Sequence, residues 1–264
     1  MSGRILLRLV AVVYLAGLLV LPLGMILWRT FEHGPWPVWE ALTSPYALHA
    51  LWLTLLMVVI SVPLNALFGV GVALLLARGR FPGKSLLSAI IDLPLALSPV
   101  VVGLALVLAY GTSGWFGPAL QALGIRVIFA LPGMVLANVF ISLPFVAKEV
   151  LPVLREIGQE QEQAAYTLGA SPMQTFIRVT LPAIRSAVAY GVVLTTARVL
   201  GEYGAVNVVS GNLEGRTQTL TMYVADRFQQ YDETGTYAAS VLLACLGVVM
   251  LLVINRFTHK GEAR

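Results

Sequence analysis

Arg198 and Glu202 stand four residues apart in the run YGVVLTTARVLGEYGAVNVVS, which is otherwise almost uncharged. At that spacing two side chains share one face of a helix. Burying either charge alone in a bilayer is costly, whereas pairing lets both stay inside. Gly201 and Gly204 flank Glu202, where a helix can loosen or pack closely. Thr195, Thr196, Tyr203, Asn207 and Ser210 add neutral donors around the pair. Two readings stand. The pair is a structural tie between helices, or it shapes or gates a route for an oxyanion, since neutral donors with one compensated cation suit an anion that must bind weakly and leave.

A second ionisable group, Asp92, precedes Pro94 and the pair Ser98-Pro99 in IIDLPLALSPVVVG. Two prolines remove two backbone donors, so a helix here bends or partly unwinds, which a membrane tolerates only where protein or water satisfies the freed carbonyls. Asp92 either caps the turn at Pro94 or is a functional group of the pathway, together with Ser98.

The third feature is polar. Glu160 to Pro182 reads EQEQAAYTLGASPMQTFIRVTLP. Helix formers run from Gln161 to Leu168, Gly169 stops them, Ser171 can cap a second helix with Pro172 at its first position, and that helix is expected to end near Leu181-Pro182. The expected unit is two short helices at an angle. Leu168, Met173, Phe176, Ile177 and Val179 form its apolar side, and Glu160, Glu162, Gln163, Gln174 and Arg178 its wet side. Without a partner this would be an ordinary amphipathic loop at the interface; with one, it is a docking element.

What must position these residues is a set of membrane spans. The chain of 264 residues is 58% hydrophobic and 11% charged, with a mean hydropathy of +0.84; soluble domains are about a quarter charged. Spans need about 20 apolar residues, and six segments qualify: Leu6 to Trp28, Ala50 to Leu76, Leu86 to Tyr110, Val127 to Ala147, Ala183 to Ser210 and Tyr237 to Phe257. Arg198 then lies roughly 24 Å above Pro182, in the outer half of a bilayer about 30 Å thick. Basic residues near span ends stay cytoplasmic. Arg4, Arg8, Arg78, Arg80, Lys84, Lys148, Arg155, Arg178, Arg185, Arg256, Lys260 and Arg264 fall on one side, against Arg29, Arg126, Arg216 and Arg227 on the other. The expectation is one membrane domain over residues 1–264, both termini cytoplasmic, with a cytoplasmic insert at 148–182.

The net charge of +4 follows from this asymmetry and points to no nucleic acid. The first apolar segment is too long for a secretion-signal core and lacks a cleavage site, so it reads as a retained span. Trp36 and Trp39 in the first outer loop read as an interfacial belt. The lone Cys245 is a small packing residue, and nothing suggests a metal site or a catalytic group. No Lys-bearing Gly-rich phosphate loop is present, so ATP hydrolysis, if it powers this protein, belongs to another chain. After Ser210, Leu220, Val224 and Phe228 recur at spacings of four, as on a short amphipathic helix that lies on the outer surface or dips back into the bundle.

The run Gln163-Ala164-Ala165, three residues, Gly169, nine residues, Val179, one residue, Leu181-Pro182 resembles the cytoplasmic signature of bacterial ABC importer permeases. Gln163 replaces the Glu of that signature and Val179 its Ile. Further pieces, His49 to Thr54, Phe81-Pro82-Gly83, Asp92-Leu93-Pro94, Ser98 to Val101, Pro132 to Leu136, Arg178 to Pro182 and Gly201 to Val206, resemble the W-type permeases of bacterial sulfate/thiosulfate ABC importers. The likeness runs from the first outer loop to the last span. It implies an all-α membrane protein with six transmembrane helices in the type I, MetI-like permease fold, located in the bacterial inner membrane. It also implies a non-catalytic subunit with no cofactor of its own, working beside a T-type permease, two ATPase copies that bind ATP and Mg, and a periplasmic sulfate-binding protein. Coupling to the ATPase falls on Glu160, Glu162, Gln163, Ala164, Ala165, Gly169, Ala170, Ser171, Pro172, Val179, Leu181 and Pro182. A molybdate or tungstate permease shares the signature. A proton-driven carrier using Asp92 and Glu202 is the more distant alternative.

Overall fold

A computed structural model describes residues 3–259; Lys260 and Arg264, two of the orienting charges, lie outside them. Every element among the described residues is helical: α1 (Gly3–Phe31), α2 (Pro35–Thr43), α3 (Pro45–Arg78), α4 (Lys84–Ala96), α5 (Pro99–Tyr110), α6 (Gly117–Ala122), α7 (Leu131–Glu156), α8 (Glu160–Thr167), α9 (Pro172–Thr175), a π-helical turn (Phe176–Thr180), α10 (Leu181–Leu200), α11 (Gly204–Ser210), α12 (Leu220–Gln229) and α13 (Glu233–His259). Five helices are long and apolar enough to span a membrane, and α4 with α5 make a sixth if the bent pair counts as one. The protein is thus a multi-pass membrane protein.

The centre of the bundle is α3, α7 and α10. With no water to drive apolar surfaces together in a bilayer, helices associate through close packing of small residues and through polar contacts. The stripes that meet here carry small residues, Ser61 and Gly69 on α3, Ser142 on α7 and Gly191 on α10, beside buried Asn65, Asn138 and Thr195, and the side-chain oxygens of Ser61, Asn65, Asn138, Ser142 and Thr195 make no hydrogen bond, so close packing is what joins them. A Cβ on Gly191 would come 2.7 Å from Val146 Cα, and one on Gly69 would come 2.6 Å from Val146 Cβ. Val146 therefore fixes the register of all three helices. Gly191→Ala cannot be absorbed by a side-chain rotation, because the atom it meets is backbone. It is expected to cost about 1–3 kcal/mol, seen as a lower Tm of the purified protein in detergent.

Four expected boundaries are corrected. The third span is two helices bent by 113°, far more than a kink. The residues before the second helix explain it: Leu97 and Ser98 are extended (ψ 143° and 135°), as required of a residue preceding Pro99, and Pro99 opens α5. The fourth span starts at Leu131 and its helix continues to Glu156, into the segment expected as insert. The fifth breaks at Gly201 to Tyr203, leaving α11 separate. Finally, the second helix of the insert does not stop at Pro182 but runs on into α10. Pro182 has no N–H and its ring would clash with the carbonyl four residues back. The wide turn before it relieves this, with Leu181 N–H bonding Phe176 O five residues earlier.

On the side opposite the insert, α12 dips back into the bundle: Leu220 N–H donates to Thr54 Oγ1, and Thr221 Oγ1 to Leu200 O. Leu220, Met222 and Tyr223 are buried, whereas Phe228, expected on the same stripe, is exposed. It lies one full turn past Val224, next to the last residue of α12. Trp36 and Trp39 are exposed on α2, as an interfacial belt requires.

Candidate functional site

Glu202 is buried in the break between α10 and α11, two residues past Leu200. Its side chain is 2% exposed, and Arg198 reaches it from the flank, Nη2 to Oε2 at 2.7 Å, while remaining 29% exposed. The other carboxylate oxygen accepts the Ala205 N–H at 2.9 Å. That is why the helix can break here: α10 ends at Leu200, and the Glu202 carboxylate satisfies an orphan donor at the start of α11. The pair thus holds two helix ends together and keeps a guanidinium at the surface of α10.

The broken ends are packed on each other. A Cβ on Gly204 would lie 3.1 Å from Pro99 Cβ, and one on Gly103 would lie 2.8 Å from Ala205 O. Ser98, Glu202 and Tyr203 are brought to one junction between α5 and α11, with half-buried Asn207 one turn along α11. The other expected members stand apart. Thr195 is fully buried and its hydroxyl has no hydrogen-bond partner, and Thr196 Oγ1 donates to Val192 O within its own helix. Ser210 Oγ accepts Asn212 N–H. Asp92 does not cap the turn at Pro94; its carboxylate meets Lys148 Nζ at 3.1 Å, both side chains about half exposed. By the register at Val146, Lys148 is level with Ala189, roughly 14 Å from Arg198 along α10. A cavity of about 330 Å³ between α10 and α13 takes Thr196, Gly201 and Ser240 but no charged group, so it offers an anion little.

At the other end of α10 lies the elbow of α8 and α9. Gly169, at φ +85°, is the left-handed residue after α8, and the bonds Ala170 N–H to Ala165 O and Gly169 N–H to Tyr166 O close a Schellman turn. Ser171 Oγ accepts Gln174 N–H while Gln174 Oε1 accepts Ser171 N–H, a reciprocal cap with Pro172 at the first position. The elbow contributes little to the core. Leu168 is 88% exposed and Met173 65%, with Tyr166 and Ile177 also exposed, whereas Phe176 packs on the bundle and Val179 is half-buried. Gln163 and Ala164 are exposed beside them.

One expected surface charge is not on the surface. Glu162, assigned to the wet side, is held between Arg78, whose Nε and Nη2 reach its two oxygens at 3.0 and 3.1 Å, and Thr180 Oγ1 at 2.9 Å. Arg78 also donates to Leu154 O and Gly158 O. The sequence marks Arg78 only as one basic residue among several at a span end, and its partners are about 80 residues away.

Residues 66–260 match the family described as the inner membrane component of binding-protein-dependent transport systems. The "Sulfate transport system permease protein CysW" of Synechococcus elongatus is 50% identical over 92% of this chain and 85% of its own length. That of Escherichia coli is 42% identical over 94% and 85%. "Sulfate permease 2, chloroplastic" of Chlamydomonas reinhardtii is 45% identical over 96% of this chain and 69% of its own. A chain of a bacterial alginate ABC transporter superposes with a TM-score of 0.78 at 17% identity, covering 97% of this chain and 94% of that one. A chain of the MetNI methionine transporter does so at 0.60 and 20%, over 81% and 95%. The exposed elbow, the two broken helices and the sequence likeness over nearly the whole chain agree: this chain belongs to the family of binding-protein-dependent transport system inner membrane components.

Proposed function

We propose that this chain is the membrane-spanning permease subunit of an ATP-driven importer of sulfate or thiosulfate. The observation that carries it is the elbow: Leu168 and Met173 stand exposed on a capped, locally rigid turn outside the bundle. An apolar surface held out this way suits a partner's groove. In this reading residues 1–264 are one permease domain, the insert and both termini face the cytoplasm of a bacterium, and a dimer of ATPase subunits grips Glu160 to Pro172. ATP and Mg reside in that partner. The permease itself does no covalent chemistry.

Sulfate as cargo is supported by relatives at 42–50% identity that are sulfate transport system permeases by name. A second, T-type permease completes the pathway, and a periplasmic sulfate-binding protein loads it. The exposed residues Tyr190 and Leu194, one turn apart on α10, make the face turned to the second permease. ATP-driven closure of the motor moves the elbow, the spans rock, and the anion passes a junction of Ser98, Arg198, Glu202, Tyr203 and Asn207. Asp92 and Lys148 lie nearer the exit.

Labelled sulfate uptake into vesicles containing the chain and its partner subunits tests this. Uptake should require ATP, survive collapse of the proton gradient and be displaced by thiosulfate but not by molybdate. Displacement by molybdate would instead identify a molybdate or tungstate permease. Uptake that survives loss of ATP and stops with the proton gradient would identify a secondary carrier.

A further inference from the structure

A lever transmits motion only if it is fixed to what it must move, and the elbow makes few apolar contacts that could fix it. Helix α8 buries no residue. What joins it to the bundle is polar. Arg78 is the last residue of α3, and its Nη1 donates to Leu154 O at 2.8 Å while Nη2 donates to Gly158 O at 2.6 Å. Leu154 lies in the last turn of α7 and Gly158 just beyond it, where helix carbonyls lack intrahelical partners. The same guanidinium binds both oxygens of Glu162 on α8, and Glu162 Oε1 accepts from Thr180 in the π turn that leads into α10. Arg78 is 19% exposed and Glu162 15%, so water competes weakly for these bonds.

We infer that Arg78 is the positioning residue of the elbow, fastening α8 and the π turn to the ends of α3 and α7 so that a push on the elbow moves the three central helices together. The inference rests on the permease reading and adds a residue that lies outside the signature run. Only a planar fork with several fixed donors can bind a carboxylate on one edge and two carbonyls on the other; an ammonium offers three donors from a single point. Arg78 needs no contact with cargo or nucleotide for this role.

The test uses the assembled transporter carrying Arg78→Gln, Arg78→Lys or Thr180→Val. Three quantities are read: co-purification of partner subunits, sulfate taken up per ATP hydrolysed, and the distance distribution between spin labels at Gln163 and on α3. Arg78→Gln should leave the complex assembled, lower uptake per ATP about tenfold through loss of charge-assisted bonds, and broaden the label distances. Arg78→Lys should restore part of the coupling, since it keeps the ion pair with Glu162. Thr180→Val removes one bond without touching the charges and should give a smaller loss, which keeps the inference testable if Arg78→Gln does not assemble. Unchanged uptake per ATP together with unchanged label distances in Arg78→Gln would overturn it, as would full restoration by lysine. If the wild-type complex shows no ATP-dependent sulfate uptake, the permease reading fails instead, and the label distances still decide whether Arg78 holds the elbow.

Discussion

Replacing Gly169 with valine is expected to uncouple ATP hydrolysis from sulfate uptake while leaving the complex assembled. At φ +85° the backbone lies in the left-handed region, which costs a residue with a Cβ roughly 1–2 kcal/mol and a β-branched one more. A Cβ there would meet nothing within 4 Å in this chain, so the cost is conformational and not a clash with the bundle. It falls on a segment with almost no core of its own. The Schellman turn that sets the angle between α8 and α9 opens, while α3, α7 and α10 keep their packing. The check is uptake of labelled sulfate per ATP hydrolysed in vesicles holding all subunits. Normal sulfate uptake by Gly169→Val would refute the coupling role of the elbow.

The companion variant Gly169→Asn separates two causes. Asparagine tolerates the left-handed region, so it should keep most of the coupling if backbone conformation is what matters. Equal loss in Asn and Val variants would mean that any side chain here intrudes on the ATPase groove.

The elbow was readable from the chain because its stops and caps are local: Gly169 and Ser171-Pro172 determine the turn within a few residues. The ion pair of Arg198 and Glu202 was readable from the same short spacing, although Glu202 stands just past the end of α10 and not on it. The broken third span was only half legible. Pro94 and Pro99 announce a bend, but its size depends on how α5 packs on α11 through Gly103 and Gly204. The continuation of α9 through Pro182 was not legible, since proline marks a helix boundary by default and only the π turn removes the clash. Least legible was the Arg78 clamp. Its ion pair with Glu162 joins residues 84 apart in sequence, and no local pattern on either side signals the other.

Arg198→Ala is expected to be the most destabilising single change at the junction, and Glu202→Gln much milder. The two partners are unequally buried: Glu202 is 2% exposed and Arg198 29%. Removing the arginine strands a carboxylate in the bundle, a loss of about 3–5 kcal/mol by the usual cost of breaking a buried pair. Removing the carboxylate's charge strands a guanidinium that reaches the surface of α10, and glutamine can still accept the Ala205 N–H that starts α11. Thermal unfolding in detergent should therefore show Arg198→Ala lowered by roughly 10 °C and Glu202→Gln close to wild type. The milder variant then isolates function from folding. An arginine freed from its partner at the anion route should hold sulfate more tightly and release it more slowly, lowering both KM and the maximal uptake rate. If Glu202→Gln leaves both unchanged while Arg198→Ala unfolds, the pair is a structural tie between α10 and α11, and the anion passes elsewhere along the exposed face of α10.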